Sequence, residues 1–190
     1  MKTFDEIYAG RPDNREVGSS GYSNLLNLYD ICTELKPWAI FESGTWKGNS
    51  SWVFSHFAKK LSCYDIDFSN LMWRGDNIDY WEQDIETNNI RVGEGAGDDI
   101  LFFFDDHISH LQRLKWLIKI GAKYAIFDDN QPEEICRTLK NPPTKTLQEL
   151  VDDLKDWDIL SPIRAVKHYE VLPFLGNRRN FDTRLTYIEL

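Results

Sequence analysis

Residues 38–51 read WAIFESGTWKGNSS, and this stretch decides how the rest of the chain is interpreted. The apolar run WAIFE (38–42) predicts a short buried strand, and the pattern of residues 51–58 predicts a helix. Between them, Gly44 and Gly48 allow a tight turn and a close approach of a ligand to the backbone. Because any tight turn from a strand into a helix uses glycine, the stretch alone predicts only a strand–turn–helix unit.

Short apolar runs alternate with helical patterns along most of the chain. Strands are predicted over 38–42, 61–67, 78–85, 100–104, 123–127, 165–174 and 184–190. Helices are predicted over 24–36, 51–58, 108–120 and 146–156. This alternation is typical of a mostly parallel sheet with helices on both faces, and the last two strands suit an antiparallel hairpin. The expected fold is therefore α/β, a three-layer αβα sandwich with a seven-stranded sheet, forming one domain over 22–190 after an irregular lead-in over 1–21.

The composition excludes several classes of function. The formal net charge of the 190 residues is -9, which disfavours binding to phosphate backbones, so no nucleic-acid partner is expected. The three cysteines are too widely spaced for a metal motif or a disulfide framework. The first residues lack an apolar signal segment, and no run approaches the roughly 18 apolar residues of a membrane span. We expect a cytoplasmic protein without membrane contact, and the composition does not decide between a monomer and a homodimer.

Acidic residues follow three of the predicted strands. The stretches are YDID (64–67), LFFFDDH (101–107) and YAIFDDN (124–130). Because the carboxyl ends of parallel strands meet at one edge of a sheet, where ligands bind, we expect these acids to lie near one another. Each pair alone is consistent with helix capping and solvation. Together they also offer the hard oxygen ligands that suit Mg²⁺.

The order of these motifs resembles the Rossmann-like S-adenosylmethionine-dependent methyltransferases. More narrowly, it is similar to their metal-dependent O-methyltransferase branches, of the catechol and macrocin types. The E-x-G-x-x-x-G-x-S pattern of those families is matched by Glu42, Gly44, Gly48 and Ser50. Their acid after the second strand is matched by Asp65.

The resemblance implies S-adenosylmethionine as cofactor and a set of residues that would hold it. These residues are Glu42, Gly44, Thr45, Trp46, Gly48, Ser50, Asp65, Asp84 and His107. It also implies a site for Mg²⁺, or another hard divalent cation, at Asp106, Asp129 and Asn130. A hydroxyl bound to such a cation loses its proton more easily, as transfer of a methyl group to oxygen requires.

The candidate base departs from the family pattern. The catechol type has a lysine three residues after the metal aspartate, and Ser109 stands there in this chain. Either His110 or a metal-bound hydroxide is therefore the candidate base, with Asp106 as the second catalytic residue. The expected function is metal-assisted O-methylation of a small hydroxylated acceptor. Two alternatives remain: a metal-dependent glycosyltransferase that uses Asp65 and Asp67, and a non-catalytic binding module.

Overall fold

A computed structural model describes residues 2–12, 20–90, 92, 99–128, 162–169 and 185–190. The helices are α1 (Phe4–Ala9), α2 (Tyr22–Leu35), α3 (Asn49–Phe54) and α4 (His110–Ile120). The strands are β1 (Ala39–Ser43), β2 (Lys60–Asp65), β3 (Ile78–Glu82), β4 (Ile100–Phe104), β5 (Tyr124–Phe127), β6 (Ala165–Tyr169) and β7 (Leu185–Glu189). A short 3₁₀ turn, Ile85–Thr87, follows β3.

All seven strands belong to one sheet, in the order β3–β2–β1–β4–β5–β7–β6. The first five strands run parallel, and β7 lies antiparallel between β5 and β6. In the register, Ser43 of β1 stands opposite Tyr64 and Phe104, and Phe104 stands opposite Phe127. The carboxyl ends of the parallel strands therefore meet at one edge, as the sequence predicts.

Two hydrophobic cores lie on opposite faces of the sheet. On one face, residues of α1, α2 and α3, such as Ile7, Leu28 and Val53, are buried with side chains of the central strands. On the other face, Leu114 and Leu117 of α4 belong to a second buried cluster with alternate residues of the same strands. Successive strand residues point to opposite faces, so β4 contributes to both cores. The three-layer α/β prediction is confirmed.

The structure moves several predicted boundaries. The lead-in contains α1, which the sequence analysis did not predict; Thr3 and Glu6 form a capping box at its start. Strand β3 ends at Glu82 because Asp84 caps the 3₁₀ turn. Helix α4 begins at His110 and not at Ile108, since the N-cap residue Ser109 has a ψ of 120°, outside the helical region. The predicted helix 146–156 lies outside the described residues.

In the described part of the chain, every helix is too short or too polar to cross a bilayer.

Candidate functional site

The turn between β1 and α3 is built from residues in the left-handed region. Gly44 and Gly48 both have a φ of 89°, and Trp46 between them has a φ of 48°. Gly44 has a second constraint, because a Cβ atom there would stand 2.1 Å from the carbonyl oxygen of Asp105. The backbone N–H of Asp105 in turn donates to the carbonyl oxygen of Ser43, at 2.8 Å. The turn therefore lies directly against the end of β4.

Asp65, at the end of β2, holds the other side of this turn. Its Oδ2 accepts the backbone N–H of Trp46 at 2.8 Å, and its Oδ1 accepts that of Asp67 at 3.2 Å. Thr45 is buried and donates to the carbonyl oxygen of Tyr64 at 3.3 Å. A carboxylate offers about four acceptor positions, so Asp65 keeps room for further donors. The structure thus brings together the glycine turn and the acid that the sequence predicts.

The side chain of Trp46 is 43% exposed, which is unusual for a tryptophan. It lies in the same turn as the bond to Asp65. The turn thus offers a ligand an exposed aromatic side chain, and the acid bonded to its backbone offers spare acceptor positions.

Glu42 lies behind the turn and is fully buried. Its Oε1 accepts the hydroxyl of Ser50 at 2.5 Å. Its Oε2 accepts the hydroxyl of Ser51 and, at 3.1 Å, the thiol of Cys63. The carboxyl group therefore ties β1 to β2 and to the first turn of α3. Both Glu42 and Ser50 face the protein interior, and their contact with a cofactor stays a prediction.

The acidity of Glu42 makes stability depend on pH. Burial raises the pKa of Glu42 from 4.5 to about 7, although bonds from Ser50, Ser51 and Cys63 lower it. Between these two values the folded protein holds a proton that the unfolded chain releases. The free energy of unfolding is therefore expected to fall as pH rises from about 4.5 to 7, by about 3 kcal/mol.

Urea unfolding at several pH values across this window measures the effect. Glu42→Gln should flatten the profile, since glutamine carries no proton to release. Glu82→Gln, at an exposed position that ends β3, is the control and should keep the wild-type slope. A wild-type slope retained in Glu42→Gln would show that another group is responsible.

Arg113 of α4 joins the ends of β3 and β4. Its side chain is 1% exposed and contacts three carboxylates. Nη1 lies 2.9 Å from Oδ1 of Asp84 and 2.7 Å from Oε1 of Glu86, and Nη2 lies 3.0 Å from Oδ2 of Asp84. Nη2 also lies 2.8 Å from Oδ2 of Asp106. Burial alone would raise the pKa of Asp84, but the bonds from Arg113 hold it below its usual value.

Asp106 has two further donors besides the guanidinium. Ser43 donates its hydroxyl to Oδ2 at 2.5 Å, and the backbone N–H of Ile108 donates to Oδ1 at 3.1 Å. The other two predicted metal ligands, Asp129 and Asn130, lie outside the described residues. Among the residues that are described, no group of three His, Cys, Asp or Glu side chains is placed to hold a metal ion. The magnesium prediction therefore gains no support.

The two histidines of the predicted site have different surroundings. His107 is exposed, in the positive-φ conformation that precedes α4. His110 is 5% exposed, and its ring packs edge-on against Phe127 at 5.2 Å between centroids. Ser109, in the place of the family lysine, is the N-cap residue of α4. Burial against an aromatic ring is the environment of a core histidine, and the catalytic role of His110 stays a prediction.

Sequence reasoning missed two polar pairs at this edge. The first is the pairing of Arg113 with the carboxylates after β3 and β4. In the sequence, the sign of this burial was an arginine on the same helix face as the apolar residues Leu114 and Leu117. The other joins α2 to β5: Nδ2 of Asn24 lies 3.1 Å from each carboxylate oxygen of Asp128. Both residues are buried, and their only sequence signal was the acidic end of the strand.

Several solved structures that share this architecture are described as methyltransferases. The N-methyltransferase NodS from Bradyrhizobium japonicum, in complex with S-adenosyl-L-homocysteine, matches with a TM-score of 0.59 and 12% identity, over 98% of this chain and 97% of that one. A protein from Klebsiella pneumoniae, provisionally described as an O-methyltransferase, matches with a TM-score of 0.60 and 13% identity, over 98% and 89%. The chain has the class I methyltransferase fold. A third match is the tRNA (m1A58) methyltransferase TrmI from Aquifex aeolicus, with a TM-score of 0.56 and 14% identity, over 99% and 76%.

The amino-acid sequence as a whole, unlike the fold, shows no similarity to known methyltransferases. No protein-family model matches the chain, and no curated protein matches it. The similarity therefore concerns the fold, and the site must be judged on its own residues.

In this methyltransferase fold, β1 is the strand at which the strand order reverses. Its neighbours are β2 on one side and β4 on the other, so the Gly44–Gly48 turn opens at the topological switch point. Open α/β sheets bind ligands in the crevice at that point. The turn and Asp65 therefore stand where this fold takes a ligand.

Proposed function

We propose that the protein is an S-adenosylmethionine-dependent methyltransferase that acts on a hydroxyl group of a small acceptor. The observation that carries the proposal is the 2.8 Å bond between Trp46 N–H and Asp65, which joins the glycine turn to the acid at the switch point. The NodS complex supports the cofactor, because a protein of the same fold binds S-adenosyl-L-homocysteine. The order of motifs and the Klebsiella protein support an oxygen acceptor.

The residues present fit this cofactor. The carboxylate of Asp65 has acceptor positions left for the two ribose hydroxyls, at the end of the strand beside the turn. The exposed side chain of Trp46, whose backbone N–H is bonded to that acid, provides an apolar surface in the same turn. When bound, S-adenosylmethionine supplies a methyl group activated by the sulfonium charge.

The acidic balance of the edge also suits the cofactor's charge. Near the turn stand Asp65, Asp84, Glu86 and Asp106, and the guanidinium of Arg113 is the cation that pairs with the last three. The excess of negative charge favours a ligand with a positive centre over a neutral one, because opposite charges attract more strongly where water is partly excluded.

The acceptor belongs on the β4 side of the turn. Asp65 lies on the β2 side of β1, so the nucleoside half of the cofactor occupies that side. The reactive end then lies above β1 and β4, near Asp106. We assign no base, because His110 is buried against Phe127 and the carboxylate of Asp106 is already bonded to Arg113.

Transfer of a labelled methyl group from S-adenosylmethionine tests the proposal. The acceptor panel should hold catechols, sugars and other small hydroxylated compounds, with amines for comparison. We expect incorporation into a hydroxylated acceptor, and its loss in Asp65→Asn. Incorporation into amines alone would contradict the oxygen acceptor, and cofactor binding without transfer to any acceptor would identify a binding module.

A further inference from the structure

We propose that Arg113 is the fixed cation of this site and that it positions the carboxylates at the ends of β3 and β4. The resemblance to the catechol type places a divalent metal at Asp106, and among the described residues no group of three acidic, His or Cys side chains is placed to hold one. The inference rests on the proposed function for its place in catalysis. Its test has an arm that does not depend on the cofactor.

The guanidinium of Arg113 contacts the carboxylates of Asp84 and Asp106 at the same time. Nη1 and Nη2 contact the two oxygens of Asp84 at 2.9 and 3.0 Å, which is the paired geometry that arginine favours. Nε and Nη2 contact Oδ2 of Asp106 at 3.0 and 2.8 Å. A point charge such as lysine cannot reproduce this fork. Because the side chain is 1% exposed, its charge is tolerated only while these partners are in place.

Asp106 is bonded through both of its carboxylate oxygens. Its Oδ2 accepts the hydroxyl of Ser43 and the Nε–H of Arg113, with Nη2 at 2.8 Å, and its Oδ1 accepts the N–H of Ile108. A divalent cation at the remaining acceptor position of Oδ1 would stand beside the fixed positive charge of the guanidinium, which opposes its binding. Among the described residues, the guanidinium is therefore the cation that holds Asp106.

Arg113 is connected to the Gly44–Gly48 turn through Asp106 and Ser43. Asp106, which Arg113 holds, accepts the hydroxyl of Ser43, and Ser43 directly precedes Gly44. The same guanidinium fixes Asp84 on the β3 side. One buried side chain thus sets the positions of two carboxylates on opposite sides of β1 and β2. Arg113 is a positioning residue, and its loss should weaken cofactor binding by displacing them.

Calorimetry with S-adenosylhomocysteine tests this role in three variants. Arg113→Ala is expected to weaken binding at least about tenfold, and Arg113→Lys less, because lysine keeps the charge without the fork. Methylguanidinium at millimolar concentration should restore part of the affinity of Arg113→Ala, whereas a neutral compound of similar size, which fills the same space without the charge, should not. The control is Lys119→Ala, which removes an exposed charge from the same helix and should bind as the wild type does. Equal affinity of Arg113→Ala and the wild type would overturn the proposal.

Metal binding provides the second arm, on the wild type itself. Electron paramagnetic resonance of added Mn²⁺ should show no stoichiometric bound ion, and S-adenosylhomocysteine affinity should be the same with EDTA and with Mg²⁺. Stoichiometric Mn²⁺ that is lost in Asp106→Asn would overturn the proposal. If Arg113→Ala fails to fold, the Mn²⁺ measurement on the wild type still tests the proposal. If the wild type binds no S-adenosylhomocysteine, the proposed function fails, and the Mn²⁺ result still judges Arg113.

Discussion

Gly44→Ala is expected to be among the most destabilising single substitutions in this chain. The φ of 89° costs an alanine about 1–2 kcal/mol, since only glycine adopts that region freely. The added Cβ would also stand 2.1 Å from the carbonyl oxygen of Asp105, so backbone must move, at about 1–3 kcal/mol. A total loss of about 2–5 kcal/mol is expected in chemical denaturation, a large part of the stability of an ordinary domain.

Gly121→Ala is the matched control. Gly121 also has a positive φ, of 74°, but a Cβ atom there would meet nothing within 4 Å. This substitution therefore carries the conformational cost alone, about 1–2 kcal/mol. If both variants lose the same stability, the contact between the turn and the end of β4 is not the constraint that the structure indicates.

Asp65→Asn is expected to weaken binding of S-adenosylhomocysteine about 10- to 100-fold. Hydrogen bonds to a charged group contribute about 1.5–3 kcal/mol, and asparagine keeps the shape of the side chain but loses the charge and one acceptor. The bond to Trp46 N–H should weaken as well, which loosens the turn. Calorimetry measures the change in affinity, and thermal unfolding of the free variant shows whether the fold is intact.

Asp67→Asn separates this account from the glycosyltransferase alternative. The carboxylate of Asp67 is engaged by its own loop, through the N–H of Ser69 at 2.7 Å and its hydroxyl at 2.8 Å. The substitution should therefore leave S-adenosylhomocysteine affinity within about threefold of the wild type, because it lies outside the cofactor contacts. A metal-dependent sugar transferase would need both acids. A thermal shift with UDP-sugars and Mn²⁺ that is lost in both variants would favour that alternative.

The fold could be predicted because its signals are local and repeated. Each parallel strand is a short apolar run, and each is followed by a glycine or by acids, so the edge at which the strands end could be read directly. Helix α1 was not predicted because its six residues are too few to establish a helical periodicity in the sequence. The signal that was present, Thr3 and Glu6 at capping-box spacing, is visible in the sequence.

The site was predicted less completely, because its partners are distant in sequence. The glycine turn and Asp65 could be paired from the rule that strand ends share an edge. Nothing local shows that Arg113 would reach Asp84, 29 residues away, rather than solvent. Likewise, Glu42 is buried and hydrogen-bonded because Cys63 of β2 and the first turn of α3 pack against it, which the local sequence does not show. Long-range polar pairing is fixed by packing, which periodicity does not report.

Titration of the wild-type protein with S-adenosylhomocysteine in a calorimeter tests the central claim most directly. The account predicts one site per chain with a dissociation constant in the micromolar range, matched by a rise in the unfolding temperature. Absence of heat and of any thermal shift at millimolar ligand would contradict it, and would leave the methyltransferase fold without its cofactor.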